Sequence, residues 1–331
     1  MKHLFGYTPD PAGVAQIVAD PSVPVYEMTS QQLSSMATSG DDKRPPVILF
    51  DALKALHPKW KRGAQAIGDC VSWGWELGTT LSVAVDIQLK LRPWIWPGEF
   101  ATEPYYGGAR VEALGKSRGG WSDGAFGGAA AKFGTKWGAL ARADWSQRTG
   151  NAEHNLLKYS GDKSKNWGNF GCGGADDKGQ LDAIAKEFAL AEAPMVKSYD
   201  QAKAVIESGY PVVVCSNQGL SDKRDKYGFV RASGVWYHCM VFAGVRYDRP
   251  GLLDVNSWGN SWGLGNFFVN VITGEVIEYW PEVQKCSAWL DAATCDRMLR
   301  QEDSYAVCGV TGLKRREINW TKGWEIQALA V

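Results

Sequence analysis

The sequence predicts an α+β protein with two unlike lobes, because helical patterns dominate its first half and strand patterns its second. The chain has 331 residues, enough for two lobes with substantial cores. Its 36 basic residues balance 36 acidic ones, so it lacks the positive surface that nucleic acid or anionic lipid would need. No apolar run approaches the roughly 20 residues of a membrane-spanning helix. We therefore expect neither nucleic acid nor membrane as a partner.

Residues 1–44 are expected to form an extended arm. Prolines and a polar run interrupt any periodic pattern before Pro45. The N-terminus has no continuous apolar stretch of the length of a secretory signal, and Met1 favours a chain that stays in the cytoplasm. The arm, or the C-terminal extension over 274–331, could contact a protein partner.

The strongest helical pattern runs over residues 70–91, with apolar side chains at helical spacing and Pro93 beyond its end. Asp69 is the predicted N-cap, because its carboxylate can accept hydrogen bonds from the unpaired amides of the first turn. This assignment places Cys70 in that first turn.

The later segments predict short helices followed by strands. We place the helical lobe at about 65–170, the strand-rich lobe at about 175–273, and an extension packed on the latter at 274–331. The predicted elements are a small-residue helix over 124–138, an inserted polar loop over 144–178, helices over 180–192 and 198–208, strands over 211–215, 235–245 and 266–271, a helix over 281–299 and a final strand over 304–310.

The seven cysteines are an odd number, so at least one thiol stays free within the monomer. They include no Cys-x-x-Cys pair, and the four histidines are scattered. We expect neither a metal nor a cofactor.

Three residues in chain order could form a thiol-based catalytic site. The positive end of a helix stabilises a thiolate, which favours Cys70 as a nucleophile, although a cysteine there is more often a small buried hydrophobe. His238 lies in an apolar, strand-like run that would hold its imidazole on a rigid element. Asn256 then opens the run Asn-Ser-Trp-Gly-Asn-Ser-Trp-Gly.

These residues and their order resemble the papain-like cysteine peptidases. The Asn-Ser-Trp-Gly-x-x-Trp-Gly run over 256–263 is that family's most specific signature, and the order Cys, His, Asn is kept. The Cys-to-His gap of 168 residues exceeds the roughly 130 to 150 of papain and the cathepsins, and the loop over 144–178 can absorb the difference. Around the nucleophile, Gly68-Asp69-Cys70-Val71 stands where the family has Gly-Ser-Cys-Trp.

The resemblance implies a papain-like two-lobed fold over residues 45–273, in which a helical lobe and a β-barrel-like lobe flank an active-site cleft. It also implies hydrolysis of a polypeptide substrate through a thioester, most simply by an endopeptidase. In that mechanism Cys70 attacks the carbonyl carbon, His238 protonates the leaving amine and Asn256 orients the imidazole.

Further roles carry over from the same family. Gln65 is the candidate oxyanion-hole glutamine, although it lies one residue closer to the cysteine than in the family. The implied substrate-binding residues are Gly119, Gly120, Trp258 and Trp262. The family's usual disulfide has no counterpart, since Ile67 and Ser117 occupy the two cysteine positions, which favours a reducing environment.

Two other functions stay open at this point. An amidase or transpeptidase would use the same thioester. A structural or assembly protein would use the cleft of a peptidase-like fold as a binding groove.

Overall fold

The elements below come from a computed structural model, which describes residues 4–21, 23–25, 44–89, 95–115, 123–177, 179–260, 262 and 264–310. The α-helices are α1 (Pro11–Val18), α2 (Phe50–Leu56), α3 (Cys70–Gln88), α4 (Thr102–Arg110), α5 (Gly127–Lys136), α6 (Ser146–Thr149), α7 (Gly161–Phe170), α8 (Gln180–Ala185), α9 (Tyr199–Glu207), α10 (Pro281–Gln284) and α11 (Ala292–Leu299). The strands are β1 (Val47–Ile48), β2 (Leu190–Glu192), β3 (Val212–Leu220), β4 (Ala232–Arg246), β5 (Gly251–Val255), β6 (Ser287–Asp291), β7 (Ser304–Ala306) and β8 (Cys308–Val310). Single 3₁₀ turns lie at Glu112–Leu114, Ala152–His154 and Lys186–Phe188.

Helix α3 lies between the helical part of the molecule and the large sheet. It is buried along almost its whole length, because it packs on α4 and α5 on one side and on β3 and β4 on the other. A helix surrounded in this way needs apolar and small residues all round rather than one apolar stripe. Its first residue, Cys70, therefore faces the junction of the two parts.

The large sheet has six antiparallel strands, in the order β6-β5-β4-β3-β7 with β1 also pairing β4. Alternate residues of the central strands enter two cores on opposite faces, as Phe242 does on one and Val241 on the other. The register pairs Val241 with Val255, so the residue that follows β5 lies beside the part of β4 that carries His238. That following residue is Asn256.

The C-terminal region differs from the prediction. The helix expected over 281–299 is divided into α10, β6 and α11, because residues 287–291 pair with β5 at the edge of the sheet. No strand forms over 266–271, which contributes only an isolated bridge at Val269. Residues 287–310 thus supply β6, β7 and β8 to the sheets, and β7 and β8 lie within the strand predicted over 304–310.

The arm also differs from the extended form that was predicted. Pro11 opens helix α1, and the Asp10 carboxylate caps it by accepting from the backbone N–H of Gly13 at 2.9 Å. Val14 and Ile17 of this helix are buried in the core of the helical part. This packing fixes the chain just after residue 8.

Within the described ranges, no helix combines the length and the apolar character needed to cross a membrane.

Candidate active site

Cys70 is fully buried at the start of α3. Its sulfur lies close to the backbone N–H groups of Cys239 and Gly6. Cys239 directly follows His238, so the thiol packs against the strand that carries the imidazole. Burial, with a smaller contribution from the nearby Cys215 thiol, raises the pKa of Cys70 far above its usual value. The thiol is therefore protonated in this conformation.

Asp69 occupies the predicted N-cap position of α3, but its carboxylate does not accept from the helix amides, so that part of the prediction was wrong. Its carboxylate instead accepts a hydrogen bond from the Tyr159 hydroxyl at 2.8 Å. Tyr159 belongs to the segment predicted as a surface loop, and it draws the carboxylate away from the helix end. Burial raises the pKa of Asp69 to about 7.

His238 and Asn256 form the hydrogen bond expected of an oriented imidazole. The His238 Nε2 atom lies 2.9 Å from Asn256 Oδ1, and both side chains are fully buried. The backbone N–H of Ser257 donates to the same oxygen at 2.6 Å, which identifies this side of the amide as the acceptor. Nε2 must then carry the proton, and in the neutral ring Nδ1 is the basic nitrogen.

Trp258 covers this pair. Its ring is stacked on His238, with centroids 4.6 Å apart and planes inclined by 25°. Trp262 meets Trp258 edge-on at 6.5 Å and 85°. The indole wall lowers the local dielectric constant and strengthens the hydrogen bond beneath it. Both tryptophans predicted for the cleft thus lie together beside His238.

Gln65 is buried and held against the Asn256 segment. Its backbone N–H donates to the Ser257 carbonyl at 2.9 Å, and its side-chain oxygen accepts from the Ser257 hydroxyl at 2.5 Å. One N–H of the amide donates to the Ile67 carbonyl at 2.9 Å. A side-chain amide has two such hydrogens, so the second remains available to a ligand.

Arg62 links these parts and was missed by sequence reasoning. The guanidinium donates from Nε to the Asn256 carbonyl at 3.0 Å, from one terminal nitrogen to Glu76 at 2.9 Å, and from the other to the Trp73 carbonyl at 3.0 Å. Arg62 and Glu76 are both buried. Arg62 lies in a short polar segment and belongs to no recognisable motif. Only the fold shows that its side chain connects α3 with the end of β5.

Residues 4–8 fill the cleft above the site. The Trp258 indole N–H donates to the Leu4 carbonyl at 3.0 Å. The Phe5 ring meets His238 edge-on at 6.0 Å and Trp258 at 5.8 Å. The aromatic ring of the arm therefore covers the imidazole.

The backbone of the same segment pairs with both sides of the cleft. The Ala125 N–H donates to the Gly6 carbonyl at 3.0 Å, and the Thr8 N–H donates to the Ala125 carbonyl at 2.9 Å. On the opposite side, the Tyr7 N–H donates to the Tyr237 carbonyl at 3.3 Å. Residues 4–8 of the arm thus run in extended form between the helical part and β4.

Gly6 makes the closest approach. A Cβ atom at this position would lie 1.9 Å from the Gly68 carbonyl oxygen, so only glycine fits. The Gly6 N–H faces the Cys70 sulfur. Since the carbonyl and N–H of one peptide unit point in opposite directions, the Phe5 carbonyl is turned away from the thiol.

The predicted substrate-binding residues Gly119 and Gly120 lie outside the described residues, as does Gly263 of the tryptophan motif. On the helical side of the cleft, a described residue whose backbone pairs with residues 6 and 8 is Ala125. It precedes α5 and belongs to no motif, so no pattern in the sequence could have identified it.

Two solved structures show what this arrangement is similar to. One is xylellain, a cysteine protease from Xylella fastidiosa, with a TM-score of 0.55 and 17% identity over 93% of this chain and 98% of that one. The other is procathepsin B S9 from Trypanosoma congolense, with a TM-score of 0.50 and 13% identity over 93% of this chain and 86% of that one. No protein-family model matches the chain, and no curated protein matches it in sequence. The structural likeness confirms the predicted fold.

Proposed function

Because this chain has the fold of the papain-like cysteine proteases, we propose that it is a thiol peptidase that hydrolyses peptide bonds. The observation that carries the proposal is the buried His238–Asn256 hydrogen bond on the strand against which Cys70 packs. The Ser257 N–H fixes the amide, and the amide fixes the imidazole tautomer. Orientation of a base beside a nucleophile is the requirement of this chemistry.

The reaction follows from these positions once the cleft is open. His238 Nδ1 takes the proton of Cys70, and the thiolate attacks the substrate carbonyl carbon. The Cys70 N–H and the second N–H of Gln65 would stabilise the oxyanion, at roughly 3 to 4 kcal/mol per donor. His238 then gives its proton to the leaving amine, and water attacks the thioester to release the carboxylate and restore the thiol.

Cleavage within a chain fits the cleft better than removal of terminal residues. Residues 4–8 run through it in extended form, from Trp258 at residue 4 to Ala125 at residues 6 and 8, and the chain continues after them into α1. A groove that holds residues on both sides of the one that faces Cys70 suits an endopeptidase.

The experiment compares the parent chain with Gly6→Val, whose added side chain would collide with the Gly68 carbonyl and displace the arm. We expect Gly6→Val to hydrolyse an unfolded protein substrate faster than the parent. The matched control is Gly6→Val combined with Cys70→Ala, which should have no activity while its free energy of unfolding stays within about 1 kcal/mol of that of Gly6→Val. Hydrolysis by the double variant would refute Cys70 as the nucleophile.

A binding protein on a peptidase-like fold is the second candidate, favoured by the filled cleft and the raised pKa of Cys70. A thiol-trapping epoxide separates the two functions. Stoichiometric labelling of Cys70 in Gly6→Val at neutral pH supports the peptidase. A Gly6→Val chain that is folded, unlabelled and inactive supports the binding protein.

A further inference from the structure

The arm brings one side chain into a pocket of the cleft. Tyr7 is only 5% exposed, although it belongs to a segment held mainly by backbone hydrogen bonds. Its phenol faces the carboxylate of Asp303 and the thiols of Cys215 and Cys239, whose sulfur atoms are 2.9 Å apart. A ring with one polar tip therefore fills a pocket that has apolar walls and an acidic floor.

The floor of this pocket is rigid. The two carboxylate oxygens of Asp303 accept from the backbone N–H groups of Gly127 and Gly128, at 2.8 and 2.7 Å, at the start of α5. A Cβ atom on Gly127 would lie 2.9 Å from an Asp303 carboxylate oxygen, and one on Gly128 would lie 2.8 Å from the Tyr305 hydroxyl. The two glycines thus let the carboxylate reach the helix end and fix its direction.

The pocket lies close to the Cys70 sulfur, where the substrate bond would be cut. The residue before Tyr7 presents its N–H to the Cys70 sulfur. A substrate must turn a carbonyl carbon to that sulfur, so its chain is shifted or reversed relative to the arm. Because Tyr7 directly follows the residue that faces Cys70, the pocket would receive a substrate side chain close in sequence to the reacting carbonyl.

We propose that this pocket selects tyrosine in the polypeptide substrate, and that Asp303 distinguishes tyrosine from phenylalanine. The inference rests on the proposed peptidase function. Phenylalanine fills the same walls but offers Asp303 no hydroxyl. The carboxylate then keeps its protein donors, the N–H groups of Gly127 and Gly128 and the Tyr305 hydroxyl, but loses the hydrogen bond that a tyrosine makes. Arginine or lysine would bring a second charge into a site where the carboxylate already has two backbone donors, and such pairs often only offset their desolvation.

Binding is tested first, because it does not require hydrolysis. The protein is the full chain with Gly6→Val and Tyr7→Ala to empty the pocket, and Cys70→Ala to prevent turnover. The probes are a peptide with the sequence of residues 4–8 and the same peptide with phenylalanine in place of tyrosine. We expect the tyrosine peptide to bind about 10-fold more tightly, and Asp303→Asn to bring the ratio of dissociation constants close to one.

Turnover is tested on the same chain with Cys70 restored. Matched fluorogenic peptides carry tyrosine, phenylalanine or arginine at each position near the cut. We expect kcat/KM to favour tyrosine over phenylalanine at one position by about 10-fold, with loss of the preference in Asp303→Asn. Equal use of tyrosine and phenylalanine, or a preference for arginine, would overturn the proposal.

The two assays separate the two proposals. Selective binding of the tyrosine peptide without any turnover supports the pocket and contradicts the peptidase. Turnover without a tyrosine preference supports the peptidase and contradicts the tyrosine selectivity of the pocket. If Asp303→Asn does not fold, the comparison of tyrosine with phenylalanine in the unaltered pocket still decides the question.

Discussion

One buried arginine joins the segments that carry the proposed catalytic residues. Arg62 holds the Asn256 carbonyl, the Trp73 carbonyl of α3 and the Glu76 carboxylate at once. Burial raises the pKa of Glu76 to about 7, although Arg62 acts in the opposite direction. The arginine thus sets the distance between the helix of Cys70 and the end of β5 while partly compensating a buried acid.

Replacing Arg62 with methionine keeps most of the side-chain length but removes every donor. We expect Arg62→Met to lower the free energy of unfolding by roughly 3 to 5 kcal/mol, since it removes the ion-pair partner of the buried Glu76 and leaves that carboxylate the Thr80 hydroxyl at 3.3 Å. Urea unfolding measures the loss. The double variant Arg62→Met with Glu76→Met should lose less than Arg62→Met alone. If the free energy of unfolding of Arg62→Met lay within about 1 kcal/mol of the parent value, this role would be contradicted.

Among the elements, the arm is anchored at both ends of the cleft. Helix α1 buries Val14 and Ile17 in the helical part, and Trp258 holds the Leu4 carbonyl. Between these anchors the backbone approaches that of Gly68, whose own N–H is fixed by Asp123 at 3.1 Å. The backbones of Gly6 and Gly68 are both held in place. A side chain added at Gly6 would therefore displace the arm from the cleft.

The rate of Cys70 labelling by an epoxide at neutral pH measures this control. We expect Gly6→Val to raise the rate at least about 10-fold, because displacement of the arm returns water to the thiol and lets its pKa fall. Ala15→Val adds a similar side chain to an exposed position of α1 and should leave the rate unchanged. An equal rate in Gly6→Val and the parent would show that the arm does not limit access.

Over the whole molecule, buried carboxyl groups set the pH dependence of stability. Burial raises the pKa of four of them to about 7, from ordinary values of 3.8 or 4.5: Asp69, Glu76, Glu112 and Asp303. A carboxyl with a raised pKa holds its proton more tightly in the folded chain, so its contribution is complete below the ordinary value and is lost as pH rises towards about 7. Asp225 and Asp248 have lowered pKa values. Their contributions to stability are complete above the ordinary value and are lost only as pH falls below it.

We therefore expect the urea midpoint to be higher at pH 5 than at pH 8. Replacing one of these acids by its amide, as in Glu112→Gln, should reduce the difference between the two midpoints. Equilibrium unfolding followed by tryptophan fluorescence measures both. A midpoint that rises from pH 5 to pH 8 would show that these acids are not held protonated by the fold.

The sequence could predict the fold and single out Cys70, His238 and Asn256 as candidate catalytic residues, because those signals are local: a helical pattern, an apolar run and a short tryptophan motif. It could not predict Arg62, Ala125 or Asp303, since each acts through residues distant in the chain. The predicted helix over 281–299 failed for a related reason. Pairing of residues 287–291 with β5 overrides their helical pattern, and that partner is defined only by the fold.

The orientation of the Phe5–Gly6 peptide has a kinetic consequence. In each molecule the Gly6 N–H of the arm faces the Cys70 sulfur, and the Phe5 carbonyl is turned away from it. Cys70 is therefore badly placed to cut the Phe5–Gly6 bond of its own arm. If the arm is removed by this same protein, one copy must act on another. Removal of the arm would then begin slowly and accelerate as molecules with an open cleft accumulate. Its rate would increase with protein concentration.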